Sequence, residues 1–292
     1  MKISSMFDGS KTVLSFEVFP PKRTMPIETI YKTLEQLDGL HPEFISVTYG
    51  AGGGEANKRT LEVASYIKTQ YHIEPLMHMT CINSTKSDID QMLKLAQEHD
   101  ISNIMTLRGD IVPDIEPKDD FHYAADLAAY VKAKGDFDIC GACYPEGHID
   151  SPDLVTDVLN LRRKVDAGCT HLISQLFFDN SYFYSFMERA HIAGINVPIE
   201  AGIMPVTNKK QIERMVTLCG ACLPPKFTKM MQRYEHHPEA LADAGIAYAV
   251  DQIADLVAQG VDGIHLYTMN NPTVARRICE SVGNLFSVPP QR

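Results

Sequence analysis

The sequence predicts an α/β chain folded as a single-domain (β/α)8 barrel, and three observations carry that prediction. Eight short β-rich apolar runs alternate with longer amphipathic ones along the chain. The short runs are apolar enough to be buried on both faces, as parallel strands covered by helices are. No linker or low-complexity stretch interrupts residues 1–292, a length at which barrels are routinely one domain. A doubly wound sheet is the competing arrangement. It usually places a Gly-rich turn after its first strand, where this chain has FPPKRTMP.

The first strand reads TVLSFEVF (12–19) and is stopped by Pro20-Pro21; IETIYKTLEQLDGL follows with apolar residues at helical spacing. FISVTYG (44–50) and PLMHMTC (75–81) are the second and third strands. In STKSDIDQMLKLAQEHD, Ser87 supplies a helix cap. NIMTLRG (103–109) and DICGACY (138–144) come next, then the helix DLVTDVLNLRRKVDAG, for which Gly168 is a natural stop. HLISQLFF (171–178) and VPIEAGIM (197–204) are strands six and seven. The stretch LCGACLPPKFTKMMQRYEHHPEA (218–240) exceeds a normal connection and is expected to add a small helix near Lys226 to Arg233. GIAYAVDQIADLVAQG, closed by Gly260, leads into the last strand, GIHLYTM (263–269).

An apolar fraction of 45% with 22% charged residues is ordinary for a globular chain. The net charge of −10 argues against nucleic acid as a partner, because phosphate-backbone binding needs a basic footprint. Small anions held by a few Arg and Lys remain compatible with it. MKISSMFDGSK has no apolar core of a signal peptide, and no apolar run is long enough for a bilayer. A cytoplasmic protein with no membrane partner is expected, its seven cysteines reduced. Cys140-Gly-Ala-Cys143 and Cys219-Gly-Ala-Cys222 look like a zinc pair of pairs, but their separation far exceeds the roughly 15–20 residues of that arrangement. Cys140 and Cys143 also lie three apart on a strand and so face opposite ways. Small buried thiols are the better reading, and no metal is expected.

In a barrel, chemistry sits at the C-terminal strand ends. There the chain places Glu17, Thr48-Tyr49-Gly50, His78 with Thr80, Arg108-Gly109-Asp110, Tyr144 with Glu146 and His148, Gln175, and Tyr267 with Asn270-Asn271. One core His or Gln is ordinarily structural, but so many polar residues at one rim point to a ligand site. Glu17 stands out. An ionised Glu in an apolar strand costs several kcal/mol unless it is paired, solvated or protonated. Strand alternation allows a solvated face, and the functional alternative is a carboxylic acid held at a cleft. On the helix after strand five, Asp157, Asn160, Arg163 and Lys164 are spaced so that most share a face. Arg163 and Lys164 suit phosphates or a solvated surface equally well. HExxH, Ser-His-Asp and Walker-type signals are missing from the sequence.

SFEVFPPK, FISVTYGAGGG, HMTC, LRGD, YPEGH, LNLRRKVDAG, ISQLFFD, GIMPVTN and YTMNN, in this order from about residue 12 to residue 283, resemble the methylenetetrahydrofolate reductase family. The likeness is to its short bacterial form, a catalytic TIM barrel alone. It implies a flavoprotein that binds FAD non-covalently without a Rossmann fingerprint and reduces 5,10-methylenetetrahydrofolate to 5-methyltetrahydrofolate for methionine synthesis. Its catalytic residues would be Glu17, as general acid, and Asp110, which would bond the pterin and place negative charge near the flavin. Flavin contacts would come from Thr48, Tyr49, Ala51, His78, Arg108, Gly109, Asp110, Tyr123, Ala124, Tyr144, His148, Asp157, Asn160, Arg163 and Lys164. Folate contacts would come from Asp110, Gln175 and Gln211. Asn271 stands where some relatives carry Arg, and Met215 where some carry an aromatic. NADH is the donor usually inferred for short bacterial relatives; NADPH or a partner electron-transfer protein are the other options. Homo-oligomers are common among relatives. The chain ends at the barrel, so a regulatory domain answering to S-adenosylmethionine is not expected.

The chemistry such an enzyme performs suits these residues. The substrate holds its one-carbon unit as an aminal bridging two nitrogens, and hydride cannot attack until one C–N bond opens. An acid that protonates the leaving nitrogen produces an electrophilic iminium. That acid has to keep its proton near neutral pH, in an apolar setting such as Phe16, Val18 and Phe19 provide. Substrate and nicotinamide would use the same flavin face in turn, giving ping-pong kinetics. Three competing readings stand beside this one. Another FAD barrel, such as proline dehydrogenase, has no need of the FEVFPP acid. A flavin-free lyase or aldolase would need a Schiff-base lysine, and no Lys falls in the strands. A non-catalytic folate-binding subunit is the third.

Overall fold

A computed structural model of the chain describes residues 1–49, 55–111 and 116–289. Eight parallel strands close into a barrel in chain order: β1 (Val13–Val18), β2 (Phe44–Val47), β3 (Glu74–Thr80), β4 (Asn103–Leu107), β5 (Asp138–Cys143), β6 (His171–Ser174), β7 (Ile199–Ile203) and β8 (Gly263–Tyr267). The helices are α1 (Glu28–Leu37), α2 (Glu55–Tyr66), α3 (Lys86–Glu98), α4 (Ala124–Lys134), α5 (Leu154–Ala167), α6 (Asn180–Ile192), α7 (Lys209–Cys219), α8 (Pro225–Tyr234), α9 (Pro238–Ala258) and α10 (Pro272–Phe286). This is the (β/α)8 barrel that the alternation predicts.

The strands stop earlier than their apolar runs. β2 ends at Val47 rather than at residue 50, and β6 at Ser174 rather than at 178. After Ser174 the backbone leaves the ladder: the Gln175 amide donates to the Cys143 carbonyl (2.7 Å), and the Leu176 amide donates to the Gln175 side-chain Oε1 (2.9 Å). Helix ends differ for reasons that can be named. Thr85, not Ser87, caps α3 through a reciprocal capping box with the residue three places on. Asp88 fills that place, accepting the Thr85 amide at 2.8 Å while Thr85 Oγ1 accepts the Asp88 amide at 3.2 Å. Three residues after Ser87 stands Asp90, whose carboxylate instead holds Tyr130 and Lys134. The extra helix expected near Lys226 to Arg233 is α8, opened by Pro225 at its first position. α9 begins at Pro238, ahead of the expected start, for the same reason. Gly168 and Gly260 follow α5 and α9 in left-handed conformations (φ +133° and +79°), as helix stops do.

The chain's internal contacts group into two interleaved units: Met1–Met6, Ser15–Ala142 and Arg163–Leu172 form one, and Phe7–Leu14, Cys143–Arg162 and Ile173–Arg292 the other. In the first, Asp138 is buried and accepts the Ser4 amide (2.7 Å) and the Thr170 hydroxyl (2.7 Å). His171, fully buried nearby, is pushed down to about 4 by burial, against the pull of the Asp138 carboxylate. The folded value lies below the unfolded one, so the unfolded chain takes up the extra proton. Stability from this group is complete above about pH 6.5 and is lost as the pH falls toward 4, by at most about 1.4 kcal/mol per unit. Urea midpoints at pH 7 and pH 5 should therefore diverge less in His171→Asn than in wild type. Equal slopes would remove His171 from the acid response.

In the second unit, Leu176, Phe178, Met204, Val206, Ile212 and Leu241 form a core with Phe227 and Met231 of α8. Phe227 stacks on Phe178 at 4.6 Å between ring centroids. Met215 packs against this cluster from α7.

The seven cysteines are thiols. Cys140 and Cys143 are buried as expected, but Cys219 is half-buried and Cys222 exposed, so the buried-thiol reading is corrected for the second pair. Gly220 ends α7 in a left-handed conformation (φ +67°), and Cys222 follows it on the outgoing chain. Among the described residues, no group of three His, Cys, Asp or Glu could hold a metal, and no helix is long and apolar enough to cross a membrane.

Candidate active site

In the first unit, Glu17 pairs with Ser46 in the β1–β2 register. Phe16 and Val18, both fully buried, alternate to the other face of the strand, and Phe19 is exposed. They cannot supply the apolar surroundings expected of them from the sequence, which is corrected on that ground. What Glu17 meets is a histidine. Its half-buried carboxylate, 18% exposed, places Oε2 3.8 Å from Nε2 of buried His78 on β3. Tyr49, His78, Thr80 and Ser84 line one small cleft.

Two links fix the strand exits beside Glu17. The Thr48 amide donates to the Val18 carbonyl (3.0 Å), and the buried Thr60 hydroxyl of α2 donates to the Thr48 carbonyl (3.0 Å). After β4, the Arg108 carbonyl accepts the amides of Ile82 (2.8 Å) and Cys81 (3.2 Å). Gly109 follows at φ +86°, where a Cβ would also lie 3.0 Å from Thr80 Cβ, so this turn requires glycine twice over. Asp110 emerges from it exposed. Tyr123 caps α4 with its ring exposed, while the Asp126 carboxylate accepts the amides of His122 (3.0 Å) and Tyr123 (2.8 Å). Ala124 opens that helix and is buried. Arg163 is exposed, whereas Lys164 donates from Nζ to the Ala142 carbonyl (2.5 Å). Ala51 lies outside the described residues.

In the second unit, the loop after β5 brings Tyr144 and His148 edge to face, with 4.6 Å between ring centroids. His148 Nδ1 accepts the Asp150 amide (3.1 Å), which puts the proton of a neutral ring on Nε2. Asp157 is buried, and its Oδ1 accepts the His148 amide (3.1 Å) and the Ser151 hydroxyl (2.7 Å); it fastens the loop to α5. Asn160 is exposed one turn further on. Gln175 is half-buried at the exit of β6. Gln211, on the first turn of α7, accepts the Thr207 amide at Oε1 (3.2 Å) and so holds the turn that leads into its own helix. Asn271 caps α10, accepting the Val274 amide at 3.2 Å; an Arg could not make that bond.

Sequence reasoning did not single out Arg59, Thr60 or Ser174. Arg59 and Thr60 are two polar residues ahead of an apolar run, with no spacing that separates them from a solvated helix start. Ser174 reads as a strand serine, yet its hydroxyl accepts the Gly202 amide (2.9 Å) and its carbonyl accepts the Tyr267 hydroxyl (2.8 Å). The close packing there leaves no room for a Cβ at Gly202, which would lie 2.2 Å from the Ser174 carbonyl oxygen.

A parallel barrel whose strand exits carry carboxylates, imidazoles and amides belongs to the class of barrel enzymes. A sequence profile of the family described as methylenetetrahydrofolate reductase matches residues 2–283. The chain is 37% identical over 270 residues to the 5,10-methylenetetrahydrofolate reductase of Pectobacterium carotovorum subsp. carotovorum, covering 92% of this chain and 90% of that one. The enzyme of the same name from Escherichia coli (strain K12) is 35% identical with the same coverage. Among solved structures, a Clostridium thermocellum protein that binds two copies of 5-methyl-5,6,7,8-tetrahydrofolic acid aligns with a TM-score of 0.69 at 14% identity, over 99% of this chain and 100% of that one; the likeness is one of fold. This chain belongs to the methylenetetrahydrofolate reductase family.

Proposed function

We propose that the chain reduces 5,10-methylenetetrahydrofolate to 5-methyltetrahydrofolate with electrons from NADH or NADPH, passed through bound FAD in a ping-pong sequence, and so supplies methyl groups for methionine synthesis. Family membership supports the reaction. The observation that carries the mechanism is Glu17, a half-buried carboxyl at the end of β1 with a buried imidazole 3.8 Å away.

The residues present fit FAD by the chemistry of their donors. Arg108, Arg163 and Lys164 are cations suited to two phosphates. Thr48, His78, His148 and Asn160 offer neutral hydrogen-bonding groups for the ring system and ribityl chain. The Gly109 turn keeps side-chain bulk out where the backbone bends. When bound, FAD takes two electrons from the nicotinamide and returns them to the folate as hydride.

The protein's own work is proton transfer and orientation. Glu17 gives its proton to the leaving nitrogen of the aminal, opening the C–N bond. His78 then faces the carboxylate that remains and steadies its charge. Asp110, exposed beyond the Gly109 turn, accepts hydrogen bonds from pterin N–H groups, and the amides of Gln175 and Gln211 orient the rest of the substrate. None of the eight strands carries a lysine, which counts against a Schiff-base mechanism.

A visible spectrum of the purified protein, followed by anaerobic NADH, then NADPH, then methylenetetrahydrofolate, tests the proposal in one sequence. Flavin absorbance that bleaches with donor and returns with folate is expected. A colourless preparation that does not take up added FAD would sink the flavin reading. Arg163→Ala combined with Lys164→Ala should weaken FAD retention at least tenfold, about 1.4 kcal/mol, through lost charge-assisted donors. Unchanged FAD affinity in the folded double variant would remove both residues from the flavin site and leave Lys164 a structural tie to the Ala142 carbonyl.

A further inference from the structure

We infer that Arg59 is a positioning residue for Glu17, holding the loop that leaves β1; the inference rests on the acid role proposed for Glu17. Its guanidinium, on α2, reaches back to four backbone carbonyls of that loop. Nη1 donates to Pro21 (3.1 Å), Lys22 (2.9 Å) and Met25 (3.1 Å), and Nη2 donates to Arg23 (3.2 Å). A planar fork of fixed donors can serve carbonyls spread over five residues, which a single ammonium cannot do.

The neighbouring bonds close a circuit around the acid. Thr60, next to Arg59, donates to the Thr48 carbonyl, and the Thr48 amide donates to the Val18 carbonyl, one residue after Glu17. On the other side, Val18 runs through Phe19 into Pro20-Pro21, whose rings fix φ at two successive positions, and so into the carbonyls that Arg59 grips. One helix turn thus holds both flanks of the strand end that carries Glu17. The consequence is a side chain whose position is set by backbone on two sides, the preorganisation that a general acid needs.

The test uses the full chain with FAD bound and two variants, Arg59→Met and Arg59→Lys. In Arg59→Met, the rate of flavin reoxidation by methylenetetrahydrofolate should fall at least about tenfold with the folate KM within about threefold, the mark of an interaction needed in the transition state only. Reduction by NADH should stay within about twofold of wild type. Arg59→Lys should fall between the two proteins, and it carries the test should Arg59→Met not fold. Hydrogen exchange supplies an independent readout: the Met25 amide, bonded to the Lys22 carbonyl at 2.8 Å, should lose protection in both variants. A loosened Met25 amide with normal folate reoxidation would overturn the positioning role while leaving the proposed function intact. Equal losses in both half-reactions, or no change in exchange, would overturn it as well. A wild-type protein inert toward methylenetetrahydrofolate would instead remove the proposed function and this inference together.

Discussion

In the proposed mechanism, replacing Glu17 with Gln is expected to split the two half-reactions. Gln keeps the size and still forms hydrogen bonds, but it has no proton to give the aminal nitrogen. Reduction of FAD by the nicotinamide needs no such proton and should stay within about tenfold of wild type, a change of roughly 1.4 kcal/mol. Reoxidation by methylenetetrahydrofolate should slow by about 10²–10⁴-fold, the usual cost of losing a general acid. Stopped-flow traces of each half-reaction measure both. Equal losses would indicate a damaged site, and a normal folate half-reaction would make Glu17 a solvated strand residue that merely lies beside His78.

The largest effect on stability should come from Gly245→Ala on α9. A Cβ there would lie 1.7 Å from the Val206 carbonyl oxygen, and both sides of that contact are backbone. Ala ordinarily gains about 1 kcal/mol over Gly inside a helix. Overpacking that no side-chain rotation can relieve costs up to about 3 kcal/mol or more, so the clash wins. A net loss of about 2 kcal/mol and a melting temperature lower by roughly 4–8 °C are expected. Gly283→Ala, at an exposed position of α10, is the control, because nothing lies within 4 Å of its Cβ; it should be neutral or stabilising. If both substitutions behaved alike, the close approach of α9 to Val206 would not govern stability.

The barrel was legible because its signal is repetitive. Each strand is an apolar run, each helix an amphipathic one, and eight repetitions outweigh errors at any boundary. The ends were less legible, for a local reason: residues such as Gln175 and Leu176 remain apolar or neutral while their backbone has already turned from the ladder to other partners. Thr85 was passed over for Ser87 because both stand three residues before an Asp, and only folding shows that Asp90 is taken by Tyr130 and Lys134. At the site, composition and position pointed to Glu17 and His78 separately, but only folding brings β1 and β3 side chains to 3.8 Å. The setting expected from Phe16 and Val18 failed on the simplest rule of strands, that neighbours face apart. Arg59 was invisible because its partners among the described residues are backbone carbonyls, which no sequence pattern labels.

The floor beneath Lys164 bears on how this chain can change. Lys164 reaches the Ala142 carbonyl by laying its stem over Gly141, where a Cβ would come within 2.8 Å of the lysine Cδ and 3.0 Å of Cys169 Sγ. The two positions are therefore not independent letters. A side chain at 141 pushes the flexible lysine stem aside, and shortening residue 164 relieves that contact while Cys169 Sγ at 3.0 Å and Leu172 Cδ2 at 3.1 Å still crowd the position. A change at either position therefore alters what the other will accept, and Cys169 and Leu172 limit what can stand at 141 in any case.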